Sequence, residues 1–128
     1  AEVQRLAREA FAAGQPVSAV CHGVLPLARA GVLAGKRTTA LTAPLEGTAV
    51  ALTARALPGH YRTYGESVEQ EVRRLIGPAG HFERGPLLPR FADAAHPDAG
   101  FVVRDGAYLS ARWPGDAWTL ALRLLDLL

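Results

Sequence analysis

The chain has 128 residues, 49% of them hydrophobic and 20% charged, which suits one soluble domain and leaves little room for two. No stretch approaches the roughly 20 consecutive apolar residues of a membrane-spanning helix, and the opening residues Glu2, Arg5, Arg8 and Glu9 are unlike a secretory leader. The net charge of +2 arises from 14 basic residues scattered in runs no longer than two, which does not make the basic face of a nucleic-acid binder.

Residues 2–13 read as an amphipathic helix with Val3, Leu6, Ala10 and Ala13 on one face, ended by Gly14 and Pro16. PVSAV, 16–20, has the short apolar character of a buried parallel strand. After Cys21-His22-Gly23 the pattern turns helical, from about Val24 to Ala30. RTTALT, 37–42, is β-branched and reads as the next strand. A helix is expected from about Leu45 to Ala56, then a polar aromatic loop over 60–66. Ser67 is an N-cap candidate for a third helix with Val68, Val72, Leu75 and Ile76 as its stripe and Arg73-Arg74 on its solvated side.

Residues 77–100, rich in Gly and Pro, read as a long connection. The segment 101–112 reads as two strands around the turn Asp105-Gly106. Trp113-Pro114-Gly115 is a turn, and Asp116 is expected to cap a last helix with Ala117, Leu120, Ala121, Leu124 and Leu128 inward. Helices alternating with short strands predict an α/β domain.

The chain holds one cysteine, which excludes an internal disulfide and a multi-cysteine zinc site. A single cysteine is either a small buried hydrophobe or a nucleophile. Its setting here is Ala19-Val20-Cys21-His22-Gly23 between a strand and a helix, the small-x-nucleophile-x-small pattern of a nucleophile elbow. On that reading Ala19 and Gly23 are small because the turn is tight. The helix amides and dipole should then pull the thiol below its usual pKa, and the His22 amide should face an oxyanion.

Taken whole, PVSAVCHGVLPLARAGVLAGKRTTAL resembles the ThiJ/PfpI family of the class I glutamine amidotransferase-like superfamily. DGAYLSARWPGDAWTLALRLL is similar to that family's closing hairpin and helix, while 44–99 matches less generally. The resemblance implies a flavodoxin-like three-layer α/β/α sandwich with 1–128 as the C-terminal portion of one domain. It also implies that a front half, with an acidic partner for the cysteine and a second oxyanion loop, lies upstream of residue 1. The lack of any Met, including at position 1, agrees with that expectation.

The resemblance further implies Cys21 and His22 as catalytic residues, with backbone amides at His22 and Gly23 holding an oxyanion. The expected chemistry is amide or peptide hydrolysis, or cofactor-free glyoxalase-type conversion of an aldehyde. The rival from another class is a redox-sensing or stress-protective protein that uses an oxidisable Cys21. His60, Tyr61, Arg62 and Tyr64 form an aromatic and cationic cluster expected to rim the pocket. His96-Pro97-Asp98 is only superficially similar to an amidotransferase His-Pro-Glu, and His81 has no supporting context. No metal and no cofactor are expected. The expected location is cytoplasmic, with a homo-oligomer or the missing half as partner, and no nucleic acid or membrane.

Overall fold

A computed structural model describes residues 2–53 and 65–128. The helices are α1 (Glu2–Ala12), α2 (Val24–Arg29), α3 (Ala43–Thr53), α4 (Val68–Ile76) and α5 (Ala117–Leu125). The strands are β1 (Val17–Val20), β2 (Arg37–Thr38), β3 (His81–Phe82), β4 (Val102–Asp105) and β5 (Tyr108–Ala111). One sheet has the order β1-β5-β4, and β2 pairs with β3 in a second. β1 runs parallel to β5 with Val17 opposite Tyr108 and Val20 opposite Ala111, and β4 runs antiparallel to β5. Among the described residues β1 has a single neighbour, so its other edge carries no strand.

The sheet alternation divides the core in two. Ala19 and Tyr108 face a large cluster that includes Val24 and Leu25 of α2, Leu33, Val68 and Val72 of α4, and Phe82. Leu109 and Ala111 face the opposite way onto Leu120 of α5. Helices thus cover both faces of a small sheet, which is the flavodoxin-like α/β architecture. No helix among the described residues is long and apolar enough to cross a membrane.

Local rules account for several elements. Ser67 caps α4 through a reciprocal box: its Oγ accepts from Gln70 N–H at 3.2 Å, and Gln70 Oε1 accepts from Ser67 N–H at 2.9 Å. Val68, Val72 and Ile76 are buried and Leu75 is half-buried, as the helical spacing requires. The β4–β5 turn is made by Gly106-Ala107, with Asp105 the last paired residue of β4, and Gly106 adopts φ 63°, a left-handed conformation that a side chain would oppose.

Elsewhere the tertiary structure departs from the pattern. On α1, Val3 and Leu6 are exposed, and the buried row is Ala7 with Phe11, whose ring lies 5.7 Å from that of Tyr108. The difference is one row on the wheel: Phe11 is the bulkiest apolar group of the helix and takes the interior side. Only Arg37–Thr38 of the expected 37–42 strand pairs, although Thr38, Thr39 and Ala40 are all fully buried. Its partner β3 lies inside the expected connection and is too short to show a period of its own.

On α5, Thr119 and Leu120 are buried, whereas Ala117, Ala121 and Leu128 are exposed and the helix stops at Leu125. Trp118 is exposed, and Trp113 packs against Phe91 with ring centroids 4.5 Å apart. The Arg73 and Arg74 side chains are ion-paired rather than simply solvated. Arg73 bonds Glu69 and stacks on Phe82, and Arg74 bonds Glu66.

Glu46 and Glu69 tie α3 to α4 in a crossed fashion. Glu46 Oε2 accepts from Val68 N–H at 3.0 Å, at the start of α4, and Glu69 Oε2 accepts from Ala43 N–H at 3.0 Å, at the start of α3. Each carboxylate satisfies an orphan amide of the other helix and sits at the positive end of its dipole. Arg29 bonds Glu71 with a bidentate fork at 2.7 and 2.8 Å, which fastens α2 to α4.

Candidate active site

β1 delivers Cys21 at its carboxyl end, where a single 3-10 turn, Cys21–Gly23, leads into α2. Cys21 has φ 58° and is the only non-glycine residue with positive φ among the described residues. A left-handed conformation at a residue bearing Cβ is strained and is held only by its surroundings. This is the backbone expected of a nucleophile elbow. The flanks obey the small-residue rule only in part. Ala19 is buried in the core, but Gly23 has an ordinary φ of −62° and a Cβ there would meet nothing within 4 Å.

Glycine at 23 is therefore not demanded by the described residues, contrary to the tight-turn argument. The reason is that the turn closes as a 3-10 helix, which keeps residue 23 right-handed. Gly23→Ala is accordingly expected to leave stability unchanged or raise it by about 0.5–1 kcal/mol, since alanine loses less backbone entropy in a helix start. Chemical denaturation reads this directly, and a marked loss of stability would contradict it.

Cys21 Sγ lies 3.4 Å from Nδ1 of His22, and both side chains are partly buried. Burial pushes the thiol pKa up from its ordinary 9.0, the His22 backbone N–H pulls it down, and the Glu46 carboxylate pushes it up. The net direction is upward, which corrects the expectation of a lowered thiol pKa. The His22 amide at the start of the short helix does not offset desolvation together with a nearby carboxylate.

The same direction holds for Tyr108, raised from 10.0 by burial and by Asp105 against hydrogen bonds from Thr38 and Ser110. Both groups hold their protons more tightly folded than unfolded. Their contribution to stability is full below the unfolded values and is lost as pH climbs through 9 and 10 toward the folded values. Stability to urea is therefore expected to fall between pH 8 and pH 11, at up to about 1.4 kcal/mol per pH unit for the buried Tyr108 and less for the half-buried Cys21, where solvent screens the effect. Cys21→Ala should remove part of that slope. A flat profile would contradict the burial of these two groups.

His60, Tyr61, Arg62 and Tyr64 lie outside the described residues. His96 is exposed and bonds Asp93 at 3.2 Å, while Asp98 pairs with Arg123 at 2.7 Å, so His96-Pro97-Asp98 serves two separate surface pairs. His81 is exposed at the start of β3. Among the described residues no three His, Cys, Asp or Glu side chains gather as a metal site needs.

Two features escaped the sequence reading. Glu46 bears electrostatically on Cys21, though nothing in its spacing marks it. Asp116 does not cap α5 with its side chain. It is fully buried and accepts from Phe101 N–H at 2.9 Å, Arg112 N–H at 3.1 Å and the Arg112 guanidinium. Arg112 stands in the SARWPGD phrase that carried the resemblance, which was the available signal.

The DJ-1/PfpI family model matches residues 1–127. No curated protein matches the chain. The X-ray structure of Francisella tularensis Rapid Encystment Protein 24 KDa is similar, with TM-score 0.70 and 17% identity over 98% of this chain and 49% of that one. A second crystallographic structure has TM-score 0.69 and 20% identity over 97% of this chain and 49% of that one. At these identities the likeness concerns the fold, and the chain spans about half the length of the solved structures it matches. With the family model matched over nearly every residue and an elbow cysteine between strand and helix, the chain belongs to the DJ-1/PfpI family, the ThiJ/PfpI family of the sequence resemblance.

Proposed function

We propose that this chain provides the nucleophile-bearing part of a cysteine-dependent enzyme acting on a carbonyl carbon, either an amide or a reactive aldehyde. The observation that carries the reading is the left-handed Cys21, φ 58°, with His22 Nδ1 3.4 Å from its sulfur. A raised thiol is a weak nucleophile by itself and needs a base at hand. His22 Nδ1 takes the Sγ proton as sulfur attacks the carbonyl carbon, and the carbonyl π pair moves to oxygen. The backbone amide of His22, which already lies against the sulfur, and that of Gly23 donate to that oxyanion.

For an amide, collapse breaks the C–N bond, the departing nitrogen takes the proton from His22, and water then releases the acid from the thioester. For an aldehyde, the first adduct is a thiohemiacetal whose oxygen receives the proton. A further strand pairing with the free edge of β1, from a second copy or from polypeptide outside residues 1–128, belongs to this proposal. Turnover of methylglyoxal and of a chromogenic amide, compared between the parent and Cys21→Ser, tests the reading. Equal rates in the two would overturn it.

A further inference from the structure

Val20 and Ala111 are the last paired residues of β1 and β5, so Cys21 and Arg112 leave the sheet side by side at its carboxyl end. Arg112 is 1% exposed and turns inward. Its Nε and Nη2 donate to Asp116 at 3.1 and 3.2 Å, and its Nη1 donates to the carbonyls of Pro86 at 2.8 Å and Arg84 at 3.5 Å. The segment 84–86 is thereby drawn toward the end of β5.

The same segment is held from the other side. Arg84 Nε donates at 2.7 Å to the buried carboxylate of Glu69, which also receives Arg73 Nε and Ala43 N–H. Between the two anchors Gly85 has φ 65°, and a Cβ there would lie 2.6 Å from the Phe101 ring. Arg112 stacks its guanidinium over that ring, 4.9 Å from the centroid. Glu69, Arg84, Arg112 and Asp116 therefore make one chain of contacts. It runs from the starts of α3 and α4 to the start of α5, around the sheet end where Cys21 emerges. A surface connection does not need its carbonyls gripped by a buried guanidinium. The wall of a site does, because a loosely held wall does not discriminate.

We propose that segment 84–86 is the outer wall of the Cys21 site, with Glu69 and Arg112 as its positioning residues, and that it admits slim carbonyl compounds and excludes broad ones. This rests on Cys21 being the nucleophile. The chain continues from the wall into Leu87 and Leu88, 78% and 82% exposed.

The experiment compares labelling of Cys21 by iodoacetamide with labelling by pyrenyl maleimide, each normalised to glutathione. Arg84→Ala removes an exposed side chain that pins the wall, and Gly85→Ala pushes the wall off Phe101. Both are expected to raise the broad-to-slim rate ratio by about fivefold. Leu33→Ala, a core truncation away from the wall, lowers stability and should leave the ratio of the folded protein at the parent value. An unchanged ratio in Arg84→Ala and Gly85→Ala, or an equal rise in Leu33→Ala, overturns the wall. Failure of iodoacetamide to label the folded parent at all overturns the nucleophile reading, and the wall with it.

Discussion

Asp116→Ala is expected to destabilise the protein by about 3–5 kcal/mol, the range for removing one partner of a buried ion pair. The Arg112 side chain is 2% exposed and that of Asp116 is 0% exposed, so the guanidinium left behind has no access to water. The substitution also strands the main-chain N–H groups of Phe101 and Arg112, which donate to the same carboxylate. A capping role alone would put the cost near 1 kcal/mol. Urea denaturation at neutral pH therefore separates the two accounts. Asp116→Asn keeps an acceptor but loses the charge and should fall between them. A cost near that of a cap for the alanine variant would show that the pair is dispensable.

Cys21→Ser is expected to lower turnover on the order of a thousandfold or more, because removing a nucleophile disables every later step. Serine preserves the size of the side chain and leaves the elbow backbone as it is. His22 is then asked to deprotonate a hydroxyl, which is far less acidic than even a raised thiol. Residual rates should match those of Cys21→Ala within a small factor, since neither variant has a competent nucleophile. Measurement under saturating methylglyoxal and under a chromogenic amide also separates aldehyde from amide chemistry. If both substrates are turned over equally by parent and variants, the chemistry does not pass through sulfur.

What the sequence determined by itself is what depends on neighbours a few residues apart. The elbow at Cys21, the Ser67 capping box, the Val68-Val72-Ile76 stripe and the Asp105-Gly106 hairpin all follow from local spacing and turn chemistry, and the structure has each of them. The family was legible for the same reason, since its motifs are continuous stretches at the two ends of the chain.

Tertiary structure decided whatever depends on a distant partner. Asp116 has the sequence context of a cap, yet Arg112 and the Phe101 amide compete for its carboxylate and win once they are buried together. The inward row of α1 was set by Tyr108, nearly a hundred positions away, which gives Phe11 a surface to bury. The two-residue strand β3 exists only because β2 lies beside it. The thiol of Cys21 is raised by burial and by the approach of Glu46, neither of which can be read from sequence. Periodicity records which residues prefer the interior. Which groups meet there is a property of the packed chain.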